Sequence, residues 1–156
     1  MALTVSLESD PSIKRGIQQT LTALLPDWFK QGDASLKYAD KAEILPGYVA
    51  RADGEPKGLL LYKKHDALAA EIFWLAVDPD YHRSGVGRSL VSAACNTALA
   101  DGAKFLLVWT HHARTNDKPY EATRQFYERI GFRYLAEEHF PASLENPLAL
   151  YVRLLG

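Results

Sequence analysis

Hydrophobic and polar residues change rhythm several times along this chain, and each change marks a structural element. Leu3, Val5 and Leu7 alternate with polar neighbours, which predicts a first strand over residues 2–7 with those three on one face. Asp10-Pro11 reads as a helix start, because an Asp side chain caps free N–H groups and Pro suits the first helical position. Ile13, Ile17, Leu21 and Leu24 then repeat at helical spacing until Pro26 forbids continuation. Residues 27–32 predict a turn carrying Trp28 and Phe29, and a second short helix is expected over 33–42. Residues 48–52 and 58–64 read as two strands joined by a tight turn at Asp53-Gly54. The apolar run 70–77 makes a third strand beside them.

Val86, Leu90, Val91, Ala94, Ala98 and Leu99 supply the buried stripe of the next helix, which Gly102 stops. Residues 105–109 are nearly all apolar, as expected of a strand covered on both faces. A polar loop over 110–118 leads to a helix over 119–130; Gly131-Phe132 opens another strand, and 148–155 makes the last. The order is β-α-α-β-β-β-α-β-α-β-β. Hairpins imply antiparallel pairing in the first half, while the strand–helix–strand unit over 70–109 implies a parallel crossover. The expected fold is therefore α/β, a mixed sheet with helices on both faces, formed by a single domain over 1–156. Ligands in such sheets favour the crevice at the carboxyl ends of the strands.

Composition narrows the function. At 47% hydrophobic and 24% charged the chain has the balance of an ordinary globular protein. Lys+Arg 18 against Asp+Glu 19 leaves a net charge of −1, which argues against binding nucleic acid through bulk electrostatics. No apolar run reaches the length of a membrane span and no leader pattern opens the sequence, so the expectations are no membrane association and a cytoplasmic location. Cys95 is the only cysteine and sits among alanines, where it reads as a small buried hydrophobe. His65 and the adjacent pair His111-His112 show no ligand spacing, so no metal is expected.

The most informative stretch is 70–91, where a strand ends at Asp78-Pro79 and a basic, glycine-containing loop precedes the helix. The first turn of a helix has unpaired N–H donors and partial positive charge, so it suits phosphate. Gly85 and Gly87 permit close approach, and Arg83 and Arg88 flank them. The Gly-Lys-Ser/Thr of nucleotide-hydrolase loops is missing, and the dinucleotide fingerprint fails because position 90 is Leu. The residues alone leave open a diphosphate cradle or a tight structural turn.

The wider run Val77-Asp78-Pro79-Asp80-Tyr81-His82-Arg83-Ser84-Gly85-Val86-Gly87-Arg88-Ser89-Leu90-Val91 resembles the acetyl-coenzyme-A-binding motif of the GNAT superfamily of N-acetyltransferases. His82 stands where Gln or Arg is usual. Ala122-Thr123-Arg124-Gln125-Phe126-Tyr127-Glu128-Arg129-Ile130-Gly131-Phe132 is similar to the second GNAT motif, with Tyr120 in place of the usual earlier Asn. Glu145-Asn146-Pro147 resembles the ending of one uncharacterised bacterial-type branch.

The resemblance implies acetyl transfer from acetyl-CoA to a primary amine of a small molecule or peptide, by direct attack in a ternary complex. It places the diphosphate on Ser84, Gly85, Val86, Gly87 and Arg88, counts His82 and Arg83 among the cofactor-binding residues, and lays the pantetheine arm along the backbone of Leu75, Ala76 and Val77. Phe126 would wall the cofactor slot or fill the core, and Tyr120 would border cofactor or substrate. Tyr127 is the implied general acid, against a reading as an ordinary amphipathic residue. Glu71, the one charge in an apolar strand, is either the general base or a residue at the strand's wet end; His112 is an alternative base. Trp28, Phe29 and Tyr38 fall in the region that covers the acceptor in relatives, or pack the core. Homodimers are common among relatives. The competing class is a non-catalytic acyl-CoA-binding or regulatory module on the same fold.

Overall fold

The computed structural model describes residues 2–29, 33–138 and 147–156, with 33–35 described by backbone alone; Glu145 and Asn146 of the ending noted above lie outside these. The elements are β1 (Leu3–Glu8), α1 (Pro11–Leu24), α2 (Asp33–Ile44), β2 (Gly47–Ala52), β3 (Glu55–Lys64), β4 (Ala69–Val77), α3 (Val86–Ala100), β5 (Phe105–His111), α4 (Lys118–Arg129), β6 (Arg133–Glu138) and β7 (Leu148–Leu154). Among the described residues they form one seven-stranded sheet in the order β1-β2-β3-β4-β5-β7-β6. Only β4 and β5 pair in parallel, as the crossover through α3 requires. The fold is the mixed α/β arrangement expected from the sequence.

Two apolar clusters flank the sheet. One holds Leu60, Ile72, Leu106 and Val108 against Leu90, Val91 and Ala94 of α3, Tyr127 of α4 and Ile130 just after it. The other holds Val49, Leu59, Leu61, Trp74 and Ala76 against Ile17 and Leu21 of α1. Asp53 and Gly54 both take positive φ, 50° and 87°, so the β2–β3 hairpin turns through two left-handed residues whose twist matches the strands. Asp10 caps α1, its Oδ1 accepting from Ser12 N at 2.8 Å and Ile13 N at 3.2 Å.

Several expectations need correction. The buried face of α1 is Lys14, Ile17, Gln18 and Leu21, not the Ile13–Leu24 stripe; Ile13 and Leu24 are exposed. The reason lies in the sheet: Gly47 leaves room for the lysine stem, since a β-carbon there would stand 2.9 Å from Lys14 Cδ. Lys14 Nζ then donates to Leu45 O at 2.7 Å. Leu7 is exposed, unlike Leu3 and Val5, and Leu99 projects out of the α3 stripe. β5 is buried only at alternate positions, Leu106, Val108 and Thr110, because its helices cover one face. It also runs on through Thr110 and His111, shortening the predicted loop, and Gly131-Phe132 precedes β6 rather than opening it.

Candidate functional site

The site begins with a fork. β4 and β5 share register only from Ala69/Phe105 to Ile72/Val108, after which β4 continues to Val77 without pairing to β5. On its other side β4 pairs with β3, where Leu61 faces Trp74 but Tyr62 faces Ile72, so Phe73 is an extra residue in a bulge. The bulge shifts the alternation of side chains. Ala70 and Ile72 pack on the α3 side, as do Leu75 and Val77, whereas Trp74 and Ala76 pack on the α1 side.

The fork opens into a cleft of about 210 Å³. Leu75, Ala76 and Val77 form one wall, His82, Arg83 and Gly87 the mouth, and Phe126 and Tyr127 of α4 the opposite wall. Leu25, Trp28 and Phe29 close the remaining side. Gly87 permits a close approach, because a β-carbon there would stand 3.0 Å from Phe126 Cζ.

The loop from Asp78 to Gly85 is tied to the strand end. Asp78 N donates to Lys57 O at 2.8 Å, Asp78 Oδ1 caps Asp80 N at 2.9 Å, and Ser84 Oγ donates to Tyr81 O. His82 Nε2 donates to Val77 O at 2.9 Å, so the residue that departs from the family pattern fastens the loop to β4. Arg83 takes a left-handed φ of 62° and Gly85 one of 87°. For arginine that conformation costs on the order of 1 kcal/mol, a strain that tends to be kept at ligand sites. Among the described residues no backbone carbonyl accepts from the N–H groups of residues 83–88; the first paired one is Ser89 N, 3.0 Å from Gly85 O. A run of unpaired donors at a helix start, with Arg83 beside it, fits a diphosphate. Ser84, Gly85 and Arg88 are exposed beside the mouth rather than lining it, and Val86, the first residue of α3, is fully buried.

Tyr127 is almost wholly buried, its ring set edge-on to Phe126 at 5.2 Å and to Phe132 at 5.3 Å. Burial, followed by the nearby Tyr120, pushes its phenol well above the ordinary tyrosine range. Its hydroxyl has no hydrogen-bond partner among the described residues, yet it is not one of the sealed-off polar atoms. Its side chain is among those that line the cleft.

Glu71 lies at the base of the fork, paired in register with Lys63 and Leu107, and is 8% exposed. It is not at a wet strand end. His65 Nε2 sits 2.7 Å from its Oε1. Tyr38, whose ring meets Phe73 at 5.7 Å, has its phenol pushed up first by burial and then by the charge of Glu71. Glu71 is outside the lining of the cleft described above.

Tyr120 is also outside that lining. Its hydroxyl donates to Trp28 O at 2.8 Å and its ring stacks on His111 at 3.8 Å. Burial, then Tyr38 and Asp117, push its phenol up. His112 belongs to an outer network, accepting from Arg114 N at 3.2 Å and lying 3.6 Å from Glu137. Sequence reasoning missed the part played by Trp28. Its Nε1 donates to Pro119 O at 3.1 Å and to Thr123 Oγ1 at 3.0 Å, so the turn after α1 is stitched across the cleft to α4. It also missed the His65–Glu71 pair, which crosses a hairpin turn and leaves no local signature.

Residues 45–134 match the acetyltransferase (GNAT) domain family. The chain belongs to the GNAT family. The chain is 29% identical over 116 residues to mycothiol acetyltransferase of Propionibacterium freudenreichii, covering 72% of this chain but 31% of that protein. In fold it is similar to a protein from Desulfovibrio desulfuricans assigned to the same family, with a TM-score of 0.80 at 20% identity and coverage of 99% and 100%. An aminoglycoside 6'-N-acetyltransferase complexed with coenzyme A matches with a TM-score of 0.70 at 17% identity, covering 99% of this chain and 97% of that one. No grouping of three or more His, Cys, Asp or Glu side chains that could hold a metal occurs among the described residues. Among the described residues no helix is long and apolar enough to cross a membrane.

Proposed function

We propose that this cleft binds acetyl-CoA and that the enzyme transfers the acetyl group to a primary amine of a small molecule or peptide by direct attack in a ternary complex. The observation that carries this reading is that Arg83 and Gly87, from the loop with unpaired N–H groups, line the same cleft as Tyr127. When bound, acetyl-CoA supplies an activated thioester. The N–H groups of the loop, with Arg83 and Arg88, hold the diphosphate by charge-assisted hydrogen bonds. The backbone of Leu75–Val77, which does not pair with β5, orients the pantetheine arm as an added strand, with Val77 O already held by His82. Tyr127 Oη holds the proton that a departing thiolate needs, and burial keeps it there at neutral pH. Glu71 accepts a proton from the acceptor, whose ammonium is otherwise charged near an ordinary value of about 10.4.

The test is release of free thiol from acetyl-CoA in the presence of an aminoglycoside, a peptide with a free N-terminal alanine, or an alkylamine, with the acetylated amine identified by mass spectrometry. Amine-dependent thiol release supports the proposal. Saturable coenzyme A binding with no amine-dependent release across the panel overturns it in favour of a binding module.

A further inference from the structure

The carboxylate at the base of the fork is held by a neighbour of its own. Glu71 is flanked by Lys63 opposite on β3, Tyr38 from α2, Leu107 on β5, and His65 just beyond the end of β3. A buried carboxylate is costly unless it is paired. Of these neighbours His65 alone makes a hydrogen bond to it among the described residues, Nε2 to Oε1 at 2.7 Å. An ionised carboxylate only accepts, so the proton of this bond sits on Nε2. Oε1 is therefore occupied. Oε2 has no hydrogen-bond partner among the described residues and is not sealed from solvent. The clamp is itself fixed: His65 N donates to Ala69 O at 3.0 Å, and Ala69 N to Asp66 O at 3.3 Å, closing the turn between β3 and β4.

We propose that His65 is a positioning residue for this reaction, holding Glu71 by Oε1 so that Oε2 is the lone pair presented to the acceptor. The inference rests on the reading of Glu71 as the proton acceptor. In the step concerned, one N–H bond of the acceptor ammonium breaks and its electron pair stays on nitrogen. An O–H bond forms on Oε2, so cation and carboxylate become a neutral amine and a neutral acid. The acid later returns the proton to water. Without the clamp the carboxyl group can rotate, and small misplacements of a reacting atom cost rate rather than binding.

The experiment uses the full chain with acetyl-CoA and whichever of the three amines named above the wild type turns over fastest. His65→Ala is expected to lower kcat about tenfold while coenzyme A Kd and amine KM stay within about twofold. His65→Gln, which keeps a side-chain N–H donor, is expected to recover kcat to within about threefold of wild type. Unchanged kcat in His65→Ala, or equal loss in the Ala and Gln variants, overturns the positioning role. Glu71→Gln separates the two readings. Wild-type turnover in Glu71→Gln sinks the proton-acceptor reading and the clamp with it, whereas its loss beside an unaffected His65→Ala sinks the clamp alone. A spectrum of the 15N-labelled histidine ring needs no acceptor: the proton on Nε2 of His65 supports the clamp, and the Nδ1–H tautomer overturns it.

Discussion

Gly87 and Phe126 touch across the mouth of the cleft, where a β-carbon on the glycine would stand 3.0 Å from Cζ and 3.1 Å from Cε1 of the ring. A side chain at this position would oblige the ring to give way by a few tenths of an ångström. Gly87→Ala should raise helix propensity by roughly 0.5–1 kcal/mol while pressing the ring toward the cleft. The expected outcome separates stability from binding: a melting temperature equal to or above wild type, with coenzyme A Kd raised about three- to tenfold in calorimetry. Weaker binding accompanied by a lower melting temperature would point to unfolding of the helix start instead.

Tyr127 offers the direct test of proton donation. Its raised phenol value keeps it protonated through neutral and mildly alkaline pH. Tyr127→Phe preserves the ring contacts with Phe126 and Phe132 and removes only the hydroxyl. We expect kcat to fall about 10²-fold with coenzyme A affinity within about twofold, measured by steady-state kinetics and calorimetry. An unchanged kcat would remove Tyr127 from the chemistry.

Lys14 should leave a signature in the pH dependence of stability. Its burial, the larger influence, holds the ammonium below the ordinary lysine range, with Glu8 working the other way. In the window below the ordinary value of 10.5 the unfolded chain therefore binds more protons than the folded one, and stability contributed at this position rises with pH. Lys14→Met removes that dependence. The melting temperature of the variant minus that of wild type should be greatest near pH 8 and shrink toward pH 10.5; a difference that is flat or grows contradicts the assignment.

Asp10 caps α1 with two backbone N–H groups on one carboxylate oxygen. Asp10→Ala should cost about 1 kcal/mol, which at this chain length lowers the melting temperature by roughly 2–4 °C. Coenzyme A affinity should not change, because the cap lies outside the cleft. Chemical denaturation and calorimetry on the same sample check both statements.

The elements of this fold were legible where short-range chemistry decides them. Asp10-Pro11, Asp53-Gly54 and Gly102 each carry their own backbone preference, and the boundaries they set hold within two residues, except that β3 starts three residues earlier than expected, at Glu55. The loop over 78–87 was legible because unpaired donors at a helix start are a local property. What the sequence hid depends on partners distant in the chain. Ile13 fits a buried stripe as well as Lys14 does until Gly47 is known to receive the lysine stem. Trp28 looks like core until its indole N–H is seen to reach α4, some ninety residues on. His65 and Glu71 meet across a hairpin turn, and the bulge at Phe73 lies within an unbroken apolar run that offers no punctuation.

That bulge also bears on how this chain can vary in length. Side chains alternate with a period of two, so a residue lost from a regular strand moves every later position to the other face. Deleting Phe73 would set Trp74 directly after Ile72, as Leu61 and Tyr62 already stand opposite them, so Leu75 and Val77 would keep the α3 side and Trp74 and Ala76 the α1 side. A deletion elsewhere in the paired part of β4 has no spare residue to absorb it. The bulge at Phe73 should therefore be the position of β4 most tolerant of losing a residue.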